Sequence, residues 1–455
     1  MRNVTYIRFG LTYLLFAVAW QAGISQQTSP LTLRQAVALS LDKSPGKAIS
    51  RAEVDSAHLA ARSARTTLLP TLSFSEAVSR GNDPVYVFGT RLRQQAFTQN
   101  DFALNSLNRP SPVNDVTSRL AGTWMAFDSW HTQFEIRRAD LLTRSSSASA
   151  TRSDQEIVYR TIAAYESILF AMRQVEVNQH NVETAKALQS SSETRVEAGL
   201  TIDADKLTAA ASLAERQQDL IAAQGRVQIA WAELEAAIGE SIPESQRQLQ
   251  PLDERQFDPA PLPEAVVLAV KSRPDRQSLS LQRDAQSTAV QSAKSAFGPQ
   301  INTYGSWQTD RPSITGSGGN NWIAGAELRL DILPAAKRDN LAAAKIGLQK
   351  VEAASASADQ QIQLEVTRAY YEHQTAQQML VVARASTAQA DESLRILKDR
   401  YEAGLATMTE LQRAEDAQRQ SQANYWQAVF RNTLTYASLK FATGTLTQDS
   451  AGDLQ

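Results

Sequence analysis

Two kinds of apolar spacing divide this chain. Over most of its length, apolar residues recur in helical steps; in a few short runs they alternate with polar ones. The helical stretches are long. Residues 129–199 contain no Pro or Gly before the glycine that closes them, and 335–403 contain only Gly347. About 70 residues of helix extend roughly 105 Å, too far for one compact globule, so such helices must pack along their length against others. Each is interrupted by a glycine, Gly199 and Gly404, and helical spacing resumes over Leu207 to Ile238 and Leu411 to Ala442. A helix, a glycine turn and a second helix of like character form an αα-hairpin. A further helix is predicted over 33–69, broken at Pro45 and ended by Pro70.

The alternating runs predict strands. Leu72 and Phe74 alternate with Ser73 and Ser75, and Ala121, Thr123, Met125 and Phe127 alternate with Gly122, Trp124 and Asp128. Later, Ala324, Ala326, Leu328 and Leu330 alternate with Gly325, Glu327, Arg329 and Asp331, after a turn made by Gly316, Gly318 and Gly319. Runs of about ten residues fit a tilted strand crossing an outer membrane, and equally a half-buried soluble hairpin. Asp128 and Asp331 stand where helix N-caps belong, with Pro334 in the first helical turn.

The whole pattern occurs twice. RVEAGL at Arg195 to Leu200 returns as RYEAGL at Arg400 to Leu405, 205 positions later. AVALSL at Ala36 returns as AVVLAV at Ala265, and Pro45 and Pro70 fall on Pro274 and Pro299, all 229 positions on. Ala121, Gly122 and Asp128 fall on Ala324, Gly325 and Asp331 at 203, and Tyr165-Glu166 falls on Tyr371-Glu372 at 206. One unit of roughly 200 residues has been duplicated. The change of offset puts a loop about 26 residues longer into the first copy, between Pro70 and Ala121, at a point expected to be exposed and unpacked. The division predicted is a signal peptide at 1–25, a first repeat at 26–242 with its hairpin at about 70–128, a linker at 243–262, a second repeat at 263–446 with its hairpin at about 299–331, and a tail at 447–455.

Composition narrows the chemistry. The formal net charge is −2, so no nucleic acid or other polyanion partner is implied. The sequence has no cysteine, which excludes disulfides, thiolate metal sites and a lipid anchor on an N-terminal cysteine. His58, His131, His180 and His373 share no metal-ligand spacing and read as surface or loop residues. No nucleophile motif, phosphate loop or nucleotide signature appears, so no cofactor and no catalytic residue is assigned. Arg2 and Arg8 precede an apolar run of 12 residues, Phe9 to Trp20, and then the small residues Ala22, Gly23 and Ser25, the pattern of a secretory leader.

Four strands per chain cannot close a barrel, and lipid does not tolerate an open sheet edge. If the strands cross a membrane, chains must join: two copies would give eight strands and a filled barrel, three would give twelve and a lumen. The alanine-rich helix faces, such as Ala209 to Ala211 and Ala342 to Ala344, suit either a solid coiled stalk or a curved wall around a bore, with no large core.

The chain resembles the TolC-like outer-membrane efflux proteins from Leu31 to about Gly444. The resemblance is carried by the paired R-x-E-A-G-L turns, Leu69 to Leu72, Trp124 to Asp128 and the duplication. It implies a homotrimer with a twelve-stranded β-barrel in the outer membrane continuous with a hollow helical barrel through the periplasm, meeting a periplasmic adaptor protein and an inner-membrane pump. It implies a passive exit duct of a tripartite efflux or type I secretion system, not an enzyme. It places a periplasmic gate of acidic residues near the hairpin tips, here Asp205 and Glu410, with Asp203 beside them. The family's further acid, nine residues after the second tip glycine, is Arg413 in this chain, which alternatively pairs with Glu410 three residues away. The tip residues Gly199, Leu200, Gly404 and Leu405 are where the adaptor would dock; in any case they serve as a helix turn with a buried leucine. The competing reading is a periplasmic coiled-coil adaptor or scaffold without a membrane barrel.

Overall fold

The structure, a computed structural model, describes residues 30–250, 252–452 and 454; the leader assigned to 1–25 lies outside the described residues. In chain order the elements are α1 (Leu33–Lys43), α2 (Pro45–Thr66), β1 (Thr71–Gly81), α3 (Pro84–Arg93), α4 (Leu104–Asn108), β2 (Val113–Phe127), α5 (His131–Glu197), α6 (Asp203–Ile238), α7 (Leu262–Ser272), α8 (Pro274–Ser295), β3 (Gln300–Arg311), β4 (Gly319–Arg329), α9 (Ala335–Glu402), α10 (Met408–Ala442) and α11 (Gln448–Gly452). The fold is mainly helical with one small sheet.

Local chemistry sets the breaks. Pro45 opens α2 at its first turn, and the Ser44 hydroxyl accepts from the Lys47 N–H at 3.3 Å. Asp128 does cap: its carboxylate accepts from the Thr132 N–H at 2.8 Å, inside the left-handed turn at Ser129 and Trp130. Asp331 does not. It pairs with Lys337 at 2.7 Å, while Pro334 stands at the N-cap of α9, outside the first turn. The lysine offers the carboxylate a charge-assisted partner, which outweighs a single backbone N–H.

The helices form a wall rather than a ball. α5 and α9, of 67 and 68 residues, run its full height, about 100 Å each. Toward the sheet, α2, α5, α8 and α9 lie side by side; toward the other end α6 packs on α5, and α10 packs on both α9 and α5. The expectation of no large core fails at mid-height. There Leu33, Val37, Ile162, Tyr165, Ile168, Trp231, Leu234 and Ile238 pack with Ile242 and Leu252 of the segment joining the two repeats. That segment is a strap. Phe257 stacks on Tyr436 with centroids 4.3 Å apart, its carbonyl accepts from Gln377 at 2.6 Å, and the Arg255 carbonyl accepts from Asn432 at 2.9 Å. His373, read as a surface or loop residue, is fully buried against Phe257 and Tyr436. The reading failed because the strap that covers it is distant in sequence.

The four strands form one antiparallel sheet in the order β1-β2-β3-β4. Pairing of Phe74 with Leu120, Leu120 with Trp307, and Trp307 with Trp322 puts these side chains on one face with Leu72, Val78 and Leu328. The other face carries Ser73, Ser75, Thr117, Arg119, Gln308, Asp310, Asn321 and Glu327. One residue of the predicted alternation is misplaced: Trp124 does lie opposite Ala121, Thr123 and Met125, on the apolar face with Leu120, but an irregularity between Met125 and Phe127 moves Phe127 from the side of Met125 to that apolar face. A bulge inverts alternation, and nothing in the local residue types marks it.

Candidate functional site

The ends of the long helices farthest from the sheet hold the turns that the repeats share. The R-x-E-A-G-L motif proves to be a helix-stop device. Gly199 and Gly404 sit at φ +70 and +73. The Leu200 N–H reaches back to the Arg195 carbonyl at 2.8 Å and the Gly199 N–H to Val196 at 2.9 Å; Leu405 to Arg400 and Gly404 to Tyr401 repeat this at 2.8 and 3.0 Å. These paired bonds satisfy carbonyls that a helix end leaves open, and the left-handed residue between them is glycine for lack of a Cβ. A buried leucine does not accompany the turn: Leu200 is 70% exposed and Leu405 69%. A Cβ added at either glycine would meet no atom within 4 Å. Both turns are bare.

Behind the bare turns the two hairpins are fastened together. Ala209, Tyr401, Met408 and Leu411 are buried against one another, with Leu188 and Leu394 beside them. The Arg195 guanidinium lies over the Tyr401 ring, 4.8 Å from its centroid, and donates to the Tyr401 carbonyl at 3.3 Å. One step back, Arg216 of α6, almost wholly buried, bonds Asp416 of α10 at 2.7 Å, and Arg419 bonds Asp416 at 3.1 Å and approaches Asp219 at 3.8 Å. Burial pushes the neighbouring Glu415 carboxyl upward, opposed by Arg216. Sequence reading assigned no role to Arg195, Tyr401, Arg216 or Asp416. The Arg of the repeated motif was the one available signal.

The predicted acids fall at the first turns of the returning helices. Asp203 and Asp205 open α6, and the Thr201 hydroxyl donates to Asp205. Glu410 is half of a capping box: it accepts from the Thr407 N–H at 2.7 Å, and its own N–H donates to the Thr407 hydroxyl at 3.2 Å. The Thr407 N–H and hydroxyl, both donating to it, hold its carboxyl below the usual carboxylate range. The alternative pairing with Arg413 is not formed, because Thr407 takes the carboxylate; among the described residues no ion pair joins Glu410 to Arg413. Among them, too, no group of three or more His, Cys, Asp or Glu residues could hold a metal ion, and no helix is long and apolar enough to cross a membrane.

The family model for outer membrane efflux proteins matches residues 38–240 and again 265–445, one match to each copy of the duplicated unit. The chain belongs to the outer membrane efflux protein family. It is an outer-membrane protein and not an enzyme. It is 30% identical over 179 residues to the outer membrane protein TolC of Vibrio cholerae, a match covering 39% of this chain and 40% of that relative's length. The fold is that of solved outer-membrane channels. The outer membrane protein VceC of Vibrio cholerae superposes with a TM-score of 0.76 at 17% identity over 90% of this chain and 96% of that one. The CmeC outer membrane channel of Campylobacter jejuni superposes with 0.78 at 16% identity over 98% and 94%. For a member of this efflux family, sheet and bare turns stand at opposite ends of α5 and α9.

Proposed function

We propose that this chain is one third of a homotrimeric exit duct. It would carry solutes passively across the periplasm and outer membrane for a tripartite efflux or type I secretion system. The observation that carries this reading is the pair of open edges of the sheet. Among the described residues β1 and β4, of 11 residues each, pair on one side only, while the sheet's outward face bears exposed Leu72, Phe74, Val78, Trp322 and Leu328. Such a face belongs in lipid, and in lipid an unpaired edge leaves each N–H and C=O without a partner. Joining β4 of one copy to β1 of the next removes both edges, and three copies give twelve strands around a polar bore. The scaffold reading leaves these strands without a purpose.

Residues 26–242 and 263–446 then act as two quasi-equivalent units, with 1–25 as the signal peptide. The bare turns at Gly199, Leu200, Gly404 and Leu405 are the docking points for a periplasmic adaptor, itself bound to an inner-membrane pump that supplies the energy. Asp203, Asp205 and Glu410, at helix starts beside these turns, line the periplasmic entrance, with Arg413 one turn further along. Size-exclusion chromatography with light scattering on detergent-purified protein tests the assembly: a protein mass of three chains is expected, and a folded monomer in plain buffer removes the reading.

A further inference from the structure

The extra segment of the first repeat was expected to be an unpacked surface loop. Instead it is folded. α3 lies on the polar face of the sheet at its outer end and crosses it from edge to edge. At one end the Tyr86 hydroxyl meets the Ser79 hydroxyl of β1 at 2.7 Å. The Gln94 side chain, just after the last residue of α3, reaches back over the sheet and donates to Asp115 of β2 at 3.0 Å. At the far end the Arg93 carbonyl accepts from Asn321 of β4 at 3.1 Å. Ten residues of helix are about 15 Å long, and three strand spacings of about 4.8 Å make nearly the same width.

The seat is built for this contact. Asp115 and Asp310 are 2% and 0% exposed, and Arg93 is the cation for both, with nitrogens at 3.7 and 3.4 Å. Thr117, Gln308 and Asn321 fill the remaining acceptor positions of Asp310. Val87, Thr90 and Gln94 form the buried side of α3. Gly319 faces the Arg93 carbonyl so closely that any Cβ there would collide with it. The remainder of the segment packs on the other side of α3, around the edge-on ring stack of Phe88, Phe97 and Phe102.

We infer that residues 82–112 are an outer lid, latched by Arg93 and Gln94 on Asp115 and Asp310, which closes the external mouth at rest and lifts during export. The inference rests on the trimeric-barrel reading, which makes the polar face the bore. Twelve strands 4.8 Å apart and tilted by about 40° close on a circumference of roughly 75 Å, a radius of about 12 Å. A helix with its side chains is about 10 Å across, so α3 laid on the wall nearly reaches the axis. Three copies, each backed by the aromatic layer, leave no open bore. The second repeat has only the short turn at 312–318 in the equivalent place, so one lid per chain suffices.

The absence of cysteine allows a direct test. Ser75 lies on the bore face two lumen-facing positions below Ser79 and is exposed. Ser75→Cys in intact cells is treated with a bulky polyethylene-glycol maleimide, normalised to labelling after denaturation. The thiol is expected to be protected with the latch intact, and to react at least about tenfold faster when R93A/Q94A shifts the lid toward its open state. Gly319→Ala, which removes no charge, should do the same by unseating the Arg93 carbonyl. Replacing 82–112 with the 312–318 turn should give the fastest reaction. A trimer in which Ser75→Cys reacts at one rate in all four backgrounds overturns the lid and leaves the channel standing. A protein that is monomeric, or that washes off membranes in carbonate, overturns the channel reading instead.

Discussion

Glu166→Gln should stabilise this protein in mildly alkaline solution and leave it unchanged in acid. Glu166 is only 3% exposed, at mid-height in α5, and its Oε2 has no hydrogen-bond partner among the described residues. Burial pushes its carboxyl up from 4.5 to about 7, against the pull of the Arg255 guanidinium. Between those values the folded chain keeps a proton that the unfolded chain has released, so stability falls as pH rises. The stabilisation is complete below 4.5, declines above it and is lost once pH passes about 7. At roughly 1.4 kcal/mol per pH unit, the full loss is about 3 kcal/mol per chain. Glutamine fills the same space without a charge, so the loss disappears. Denaturant unfolding of the detergent-solubilised protein, followed by far-ultraviolet circular dichroism, should show E166Q more stable than the native chain by about 3 kcal/mol at pH 8 and indistinguishable at pH 4.5. Equal shifts at both pH values, or a loss at pH 8, would refute the reasoning: the carboxylate would then be ionised and compensated inside the fold.

His373 supplies the opposite slope. Burial lowers it from 6.5 to about 4, so stability is intact above 6.5 and lost as pH falls through 4; His373→Phe should flatten that acid limb in the same assay. Glu410→Gln keeps an acceptor for Thr407 while removing the charge, so divalent-cation sensitivity in planar bilayers should weaken without fraying of α10; Glu410→Ala should produce both effects, and Asp205→Ala the first. Gly404→Ala meets no atom, but at φ +73 it costs roughly 1 kcal/mol of backbone strain, visible as faster amide exchange confined to the 400–410 turn. An epitope inserted beside Leu104, which is 78% exposed, should be tolerated and reached by antibody on intact cells; one inserted within α3, across Val87 and Thr90, should unseat the lid and speed labelling of Ser75→Cys while the trimer still assembles.

Much of the architecture was legible because it depends on spacing. Long runs free of Pro and Gly became α5 and α9, and the paired glycines became the turns. What escaped was whatever depends on a distant segment. His373 carries no mark of the strap that buries it, and Phe127 carries none of the bulge before it. The acids at the tips were legible as helix starts, since Thr407 and Glu410 form a recognisable box. The fastening of α6 to α10 by Arg216 and Asp416 was not, because an ion pair across 200 positions has no local signature.

The duplication shows most clearly why residue type alone does not determine environment. Tyr165-Glu166 and Tyr371-Glu372 are the same pair in the two copies. The first pair is buried, with the Tyr165 hydroxyl donating to the Leu31 carbonyl at 2.8 Å; the second is exposed, with Tyr371 53% open. The helices that carry them are nearly equal in length, yet α5 buries 18 residues and α9 only 8. α5 is packed by α1, α2, α6, α8 and α10, whereas α9 is packed by α7, α8 and α10 and has no counterpart of the contacts that α2 and α6 make with α5 on its outer edge. On its open side lie Ile346, Leu364, Met379, Val381 and Val382, all at least half exposed or close to it. The opposite edge of the wall, on α2 and α6, shows Ile49, Leu59, Leu207, Ile221 and Ile229 to solvent. Two apolar flanks on opposite edges of one wall, each lacking what the equivalent helix of the other repeat possesses, would be complementary under the rotation of the proposed trimer. Seating α2 and α6 of one chain on α9 of the next would give the second repeat the neighbours that the first already has, and the same rotation would close the sheet.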